Sequence, residues 1–191
     1  MDSTGEAEKM LRERLAGRPS KVLTMAVAAE AAADNEVLLT LFRMVYGGIE
    51  PFRWRAAWVI EKVSVKYPSL VVEEREGLKR LAMQADVPEG VRRLLLSILS
   101  HLPDDEDLDV SFFNYLLDKM CDLRSSSGVQ ALAMKLACRM SHVDPILYKE
   151  FCCILRDMDV EYYSAGVKSA INGCLKCKKC WWSLTTGRHN Q

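Results

Sequence analysis

With 191 residues, 49% apolar and 27% charged, the chain has the composition of a folded globular protein and not of a disordered one. Lysine plus arginine balances aspartate plus glutamate at 26 each, so bulk charge selects no partner and only the distribution of charge can. The longest nearly apolar run, Val22 to Ala29, falls far short of the roughly 20 residues that a membrane-spanning helix needs.

The first segment, Glu6 to Leu15, places Met10, Leu11 and Leu15 at helical spacing and stops at Gly17. Its polar start, with Glu6, Glu8 and Glu13, is unlike a secretory signal. Ser20 is expected to cap a second helix to about Ala33, with Val22, Leu23, Met25, Ala26 and Ala29 as its apolar side. A third helix starts at Asp34 or Asn35, runs through Leu38, Leu39, Leu41, Phe42 and Val45, and ends at Gly47-Gly48.

Pro51 opens a fourth helix with Trp54, Ala57, Trp58 and Val65 inward; Pro68 opens a fifth through Leu70, Val71, Leu78, Leu81 and Ala82. Pro88 opens a sixth with Val91, Leu94, Leu95, Ile98 and Leu99 inward. The acidic stretch Asp104 to Asp109 leads into a seventh, where Phe112, Phe113, Leu116, Leu117, Met120 and Cys121 form the apolar set. After the turn Arg124 to Gly128, an eighth helix buries Val129, Leu132, Ala133, Leu136 and Ala137. Asp144-Pro145 starts a ninth with Leu147, Phe151, Ile154 and Leu155 inward, and a tenth runs from about Glu161 to near Cys177.

No segment alternates with period two, so no sheet is expected. The helices instead repeat. Trp54-Arg55, Val91-Arg92, Val129-Gln130 and Val167-Lys168 follow one another at offsets of 37, 38 and 38 residues, and Trp58, Leu95, Ala133 and Ile171 sit four residues after each. Self-similarity at that period marks a helical solenoid, whose units bury their apolar faces only by stacking on neighbours. The expected fold is all-α: an α-α superhelix of about ten helices in five antiparallel pairs, one helical-repeat domain over residues 1–183, with a disordered tail over 184–191.

Helix pairs of this length with Val/Trp-Arg/Lys-x-x-apolar in the second helix resemble HEAT and armadillo repeats. More narrowly, Arg55 to Glu61, Ala131 to Lys135, Pro145 to Glu150 and Ser164 to Lys168 resemble a family of short all-helical Bacteroidetes proteins, over roughly residues 20 to 175. Members of that family often carry the label adenylosuccinate lyase. Lyases of that superfamily share a Gly-Ser-Ser-x-Met-Pro-x-Lys-x-Asn loop; the nearest string here, Ser125-Ser126-Ser127-Gly128, continues Val129-Gln130. The resemblance therefore implies a fold and assigns no catalytic residue.

Charge distribution gives the first candidate site. The second helices carry Arg53, Arg55, Lys62, Lys66, Arg92, Arg93, Lys135, Arg139, Lys168, Lys176, Lys178 and Lys179, whereas the first helices and their leading loops are rich in acids. If the second helices form one face, Arg55, Lys62, Arg92, Arg93, Lys135, Arg139 and Lys168 are its candidate partner-binding residues. The competing view is that these side chains pair with acids of adjacent units or cover apolar surface with their stems.

The second candidate is Cys174-Leu-Lys-Cys177-Lys-Lys-Cys180. Its spacing puts thiols on successive turns, so Cys174, Cys177 and Cys180, with His189, form a candidate metal set. The repeat register argues otherwise for Cys174, placing it opposite Ile98 and Leu136 at a core position.

Trp54 with Trp58 could form an aromatic platform, though alignment with Val91/Leu95 and Val129/Ala133 reads as core. His101 and His142 follow the ends of second helices, where a basic side chain suits the negative helix terminus. The seven cysteines show no disulfide framework, and Cys121, Cys138, Cys152 and Cys153 fall in apolar helical patterns as packed thiols do. A cytoplasmic protein without a cofactor is expected. Its function is read as a non-enzymatic scaffold binding a protein or peptide on the second-helix face. The alternative is a nucleic-acid-binding groove like that of HEAT-like alkylpurine DNA glycosylases, with Glu61 beside Trp58.

Overall fold

The computed structural model describes residues 3–105 and 107–177, which form ten α-helices and no strand. No described helix is long and apolar enough to cross a membrane. The chain divides into two compact units, one ending at Pro103 and the other beginning at Asp104.

The first unit contains α1 (Ser3–Leu15), α2 (Lys21–Ala33), α3 (Asn35–Gly47), α4 (Phe52–Lys66), α5 (Arg75–Met83) and α6 (Glu89–His101). Short connectors fold α3 onto α4 and α5 onto α6, while α2, α4 and α6 pack in succession as one layer. α1 lies against α3 and α4 and is tied to α2 by a bidentate pair, Arg14 Nη1 and Nη2 on the Glu30 carboxylate at 3.0 and 2.7 Å. Side-chain caps start the helices: Ser20 accepts from the Leu23 amide and Asp34 from the Glu36 amide, each replacing a partner that the first turn lacks.

The second unit contains α7 (Val110–Cys121), α8 (Ser127–Ser141), α9 (Pro145–Asp157) and α10 (Ala165–Leu175). α7 folds onto α8, α9 touches α8 and α10, and α8 packs against α10. Ser126 and Ser164, 38 residues apart, cap α8 and α10 alike, accepting from the Val129 and Val167 amides at 3.4 Å. Val129, Leu136, Val167 and Ile171 are all buried, as the repeat register requires.

Several sequence expectations need correction. In α2 the buried side chains are Thr24, Val27, Ala28 and Ala31, while Val22 is 81% exposed; alanine on every side leaves periodicity little contrast to read. In α4, Val65 is exposed and Trp54 and Trp58 are only half-buried; Ala56, Ala57, Val59, Ile60 and Val63 form the inward face instead. The fifth helix does not start at Pro68. Two 3-10 turns, Pro68–Leu70 and Val72–Glu74, precede α5, letting β-branched Val71 reach the core and leaving Leu70 exposed. Likewise a 3-10 turn at Val160–Tyr162 stands where the tenth helix was expected to begin, and Ser164 caps the helix that follows. Cys121 and Cys153 are exposed, not packed. The tail expected over 184–191 lies outside the described residues.

Candidate binding groove

α8 is apolar on one side and chemically varied on the other. Val129, Ala133, Leu136 and Ala137 face the core, whereas Lys135, Cys138, Arg139 and His142, spaced as neighbours on successive turns, border a cavity shared with α10. The α10 wall is Gly166, Ser169, Ala170, Gly173, Cys174 and Cys177. Every one of these side chains is small. A Cβ placed on Gly173 meets nothing within 4 Å, so space exists because residues with bulk are missing from that helix face. The resulting cavity is about 360 Å³, within the range of small-ligand sites.

Charge enters from α8. Arg139 Nε sits 2.7 Å from Asp104 Oδ1, which orients the guanidinium at the cavity edge. Lys135 is exposed and has no carboxylate partner among the described residues. His142 caps the end of α8: its Nδ1 donates to the Cys138 carbonyl at 2.5 Å and its ring lies 4.5 Å from that of Tyr148. With the proton on Nδ1, the buried Nε2 is an acceptor, and it has no hydrogen-bond partner among the described residues. Tyr148 of α9 directs its hydroxyl between the carbonyls of Cys174 and Cys177, at 2.8 and 3.0 Å, and so satisfies the end of α10.

Thiols line the floor. Cys138 and Cys174 are each 5% exposed and face one another at hydrogen-bonding range. A hydrogen bond from Cys138 and the nearby Lys135 ammonium pull the Cys174 thiol below its ordinary value, against the opposing effect of burial. Cys138 is pushed up by its hydrogen bond to Cys174, by burial, and by the nearby Cys174, Cys177 and Cys152. Within the pair, Cys174 is the more readily ionised thiol and Cys138 the less.

A family model described as a HEAT repeat domain matches residues 11–178. The chain belongs to the HEAT repeat family. No curated protein and no solved structure matches it.

Within these HEAT repeats the seven basic residues singled out in the sequence have different surroundings inside each unit. Lys135 and Arg139 border the α8–α10 cavity; Lys168 is exposed on α10 but is not among the lining residues. In the first unit, Arg93 is exposed on α6, and Lys62 pairs with the adjacent Glu61 at 2.7 Å. Arg55 donates to the carbonyl of Leu15, where α1 ends, and its guanidinium lies 5.9 Å from the Phe52 ring centroid.

Arg92 is 4% exposed. It donates to the Gln84 and Val87 carbonyls at 3.0 Å, to the Ala82 carbonyl, and to Glu89 at 3.1 Å. Its charge therefore closes the turn between α5 and α6 and does not face a partner. The device recurs. Arg53 donates to the Val45 carbonyl and Gln130 to the Asp122 carbonyl, so a donor near the start of α4, α6 and α8 satisfies a carbonyl at the end of the helix before it.

Trp54 and Trp58 lie with ring centroids 5.3 Å apart, and a Cβ on Gly90 would touch Trp54, which rests over α6. Glu61 beside them is occupied by Lys62 and by Ser97 Oγ at 3.3 Å. Of the metal set, Cys180 and His189 lie outside the described residues; among the described residues no three His, Cys, Asp or Glu side chains gather to hold an ion. Sequence reasoning missed the groove itself. Its signal was the run Gly166, Ser169, Ala170, Gly173 on one face of the tenth helix, which the sequence reading did not single out.

Proposed function

We propose that this HEAT repeat protein is a non-enzymatic scaffold that takes an acidic peptide segment of a protein partner along the second-helix face, in the groove between α8 and α10. One observation carries the reading: small side chains on α10 leave a helix-lined cavity open beside Lys135, a cation with no carboxylate partner among the described residues. The floor of thiols and small side chains leaves room for a few side chains of the segment, while Lys135 and the Asp104-oriented Arg139 fix its acidic groups and its register. Lys168, exposed on α10, is a further contact available to a longer partner. A cytoplasmic setting fits the free thiols of the described cysteines.

The test is fluorescence anisotropy with a short fluorescein-labelled peptide rich in Glu and Leu, beside a Gln-for-Glu control and a random-sequence oligonucleotide. The Glu peptide is expected to bind and the control to bind weakly. Lys135→Glu should weaken binding about tenfold by reversing the charge of the wall. Gly173→Leu, which fills the cavity, should abolish it. Peptide binding that ignores both substitutions, or binding of the oligonucleotide alone, would rule the reading out.

A further inference from the structure

Cys138 and Cys174 come from different second helices, yet they border the same cavity and meet face to face at hydrogen-bonding range. Neither thiol is needed for packing of that kind: the first unit uses Val63 and Ile98 at the equivalent repeat positions, offset by 75 and 76 residues. Both aliphatic side chains there are buried. The cysteines are held in position by the fold. The Cys174 thiol donates to the Met134 carbonyl at 3.8 Å, and Lys135 stands one turn from Cys138 on the cavity wall.

We propose that Cys138 and Cys174 form a redox-active dithiol site that takes a hydroperoxide, hydrogen peroxide being the simplest, through the α8–α10 groove. Three requirements of such a site are present together: an attacking thiol favoured as its anion, a second thiol within reach, and an opening of adequate size. Cys174 is the attacking group, because the Cys138 hydrogen bond and the Lys135 ammonium stabilise its thiolate. Cys138 remains protonated and resolves the product.

In the first step the Cys174 thiolate attacks one peroxide oxygen. An S–O bond forms, the O–O bond breaks, and the released hydroxide takes up the proton that Cys174 lost, leaving as water. In the second step the Cys138 sulfur attacks the sulfenic sulfur. The S–S bond forms, the S–O bond breaks, and the departing hydroxyl leaves as water with the Cys138 proton. Two thiols and one hydrogen peroxide give one disulfide and two waters; the sulfurs are oxidised and the peroxide is reduced.

This inference does not require the peptide reading, although both use the α8–α10 groove and Lys135; its readout is a change in the cysteines with no peptide present. The full reduced chain is treated with hydrogen peroxide under native conditions, alkylated, digested without reductant, and mapped by mass spectrometry. The expected product is a peptide pair joined through Cys138 and Cys174, lighter by two hydrogens and separated by dithiothreitol. In Cys138→Ala the second step is lost, so dimedone should trap a sulfenic acid on Cys174. Lys135→Met should slow oxidation at neutral pH by roughly threefold to tenfold, as the thiolate fraction falls. The proposal is overturned if both thiols stay reduced while exposed Cys121 and Cys153 are oxidised. It is also overturned if Cys174 pairs with any other cysteine, or if Lys135→Met leaves the rate unchanged.

Discussion

The two units solve one packing problem with opposite materials. In the first, α4 packs on α6, Val63 and Ile98 are buried, Trp54 and Trp58 are half-buried, and basic side chains such as Arg53 and Arg92 turn inward to close helix ends. In the second, α8 and α10 carry Cys138 and Cys174 at the same repeat positions, and the α10 wall is glycine, serine and alanine. Between α8 and α10 those small side chains leave a cavity open. Repeat position fixes which residues face a neighbour; side-chain volume fixes whether anything else can enter.

The largest test of this contrast is at the helix-end donors. Arg92→Met should cost about 3 kcal/mol in urea unfolding, because buried backbone carbonyls at the α5–α6 turn lose their donor. Its counterpart Gln130→Leu removes a single neutral bond to the Asp122 carbonyl and should cost nearer 1 kcal/mol. Equal costs would mean that the charge of Arg92 adds nothing to the first unit.

A smaller effect separates two glycines. A Cβ on Gly48 would collide with the Met44 carbonyl, so Gly48→Ala should destabilise by about 2 kcal/mol. A Cβ on Gly173 enters empty space, so Gly173→Ala should stabilise by roughly 0.5 kcal/mol through helix propensity alone. Thermal unfolding of the two variants reads the signs directly. A destabilised Gly173→Ala would mean that the groove is narrower than the packing indicates.

The smallest effect is a shift in labelling rather than in stability. Cys174 is lowered and Cys121 is raised, the latter by burial of its thiol and by the Asp118 carboxylate. A lowered thiol ionises at lower pH, so iodoacetamide labelling of Cys174 should reach half its maximum at a lower pH than that of Cys121. The midpoint, not the absolute rate, is the readout, because Cys174 is recessed. A Cys174 midpoint at or above that of Cys121 contradicts the assignment of roles within the dithiol.

Much of the fold was legible because local signals agreed with the global repeat. Ser20, Asp34, Ser126 and Asp144 each stand where a helix begins, and all five residues expected inward in α6 are buried, with Arg92 and Leu96 buried besides. Legibility failed where sequence contrast was low or where a half-turn decided exposure. α2 is alanine on several faces, and Trp54 and Trp58 align with buried valine, leucine and alanine yet are too large to bury fully at that position. Of the basic residues, the sequence could place each on a helix but could not tell Arg92, turned inward, from Lys135, turned outward.

The sequence by itself determined the helices, their caps, their repeat and the core register that holds Cys174, since each follows from chemistry within one or two turns of chain. The tertiary structure alone decided that Cys174 meets Cys138, that Arg92 closes a turn, and that small residues on α10 open a groove. Those outcomes depend on what a neighbouring helix presents across a few ångströms, and a residue's own position along the chain carries no record of that.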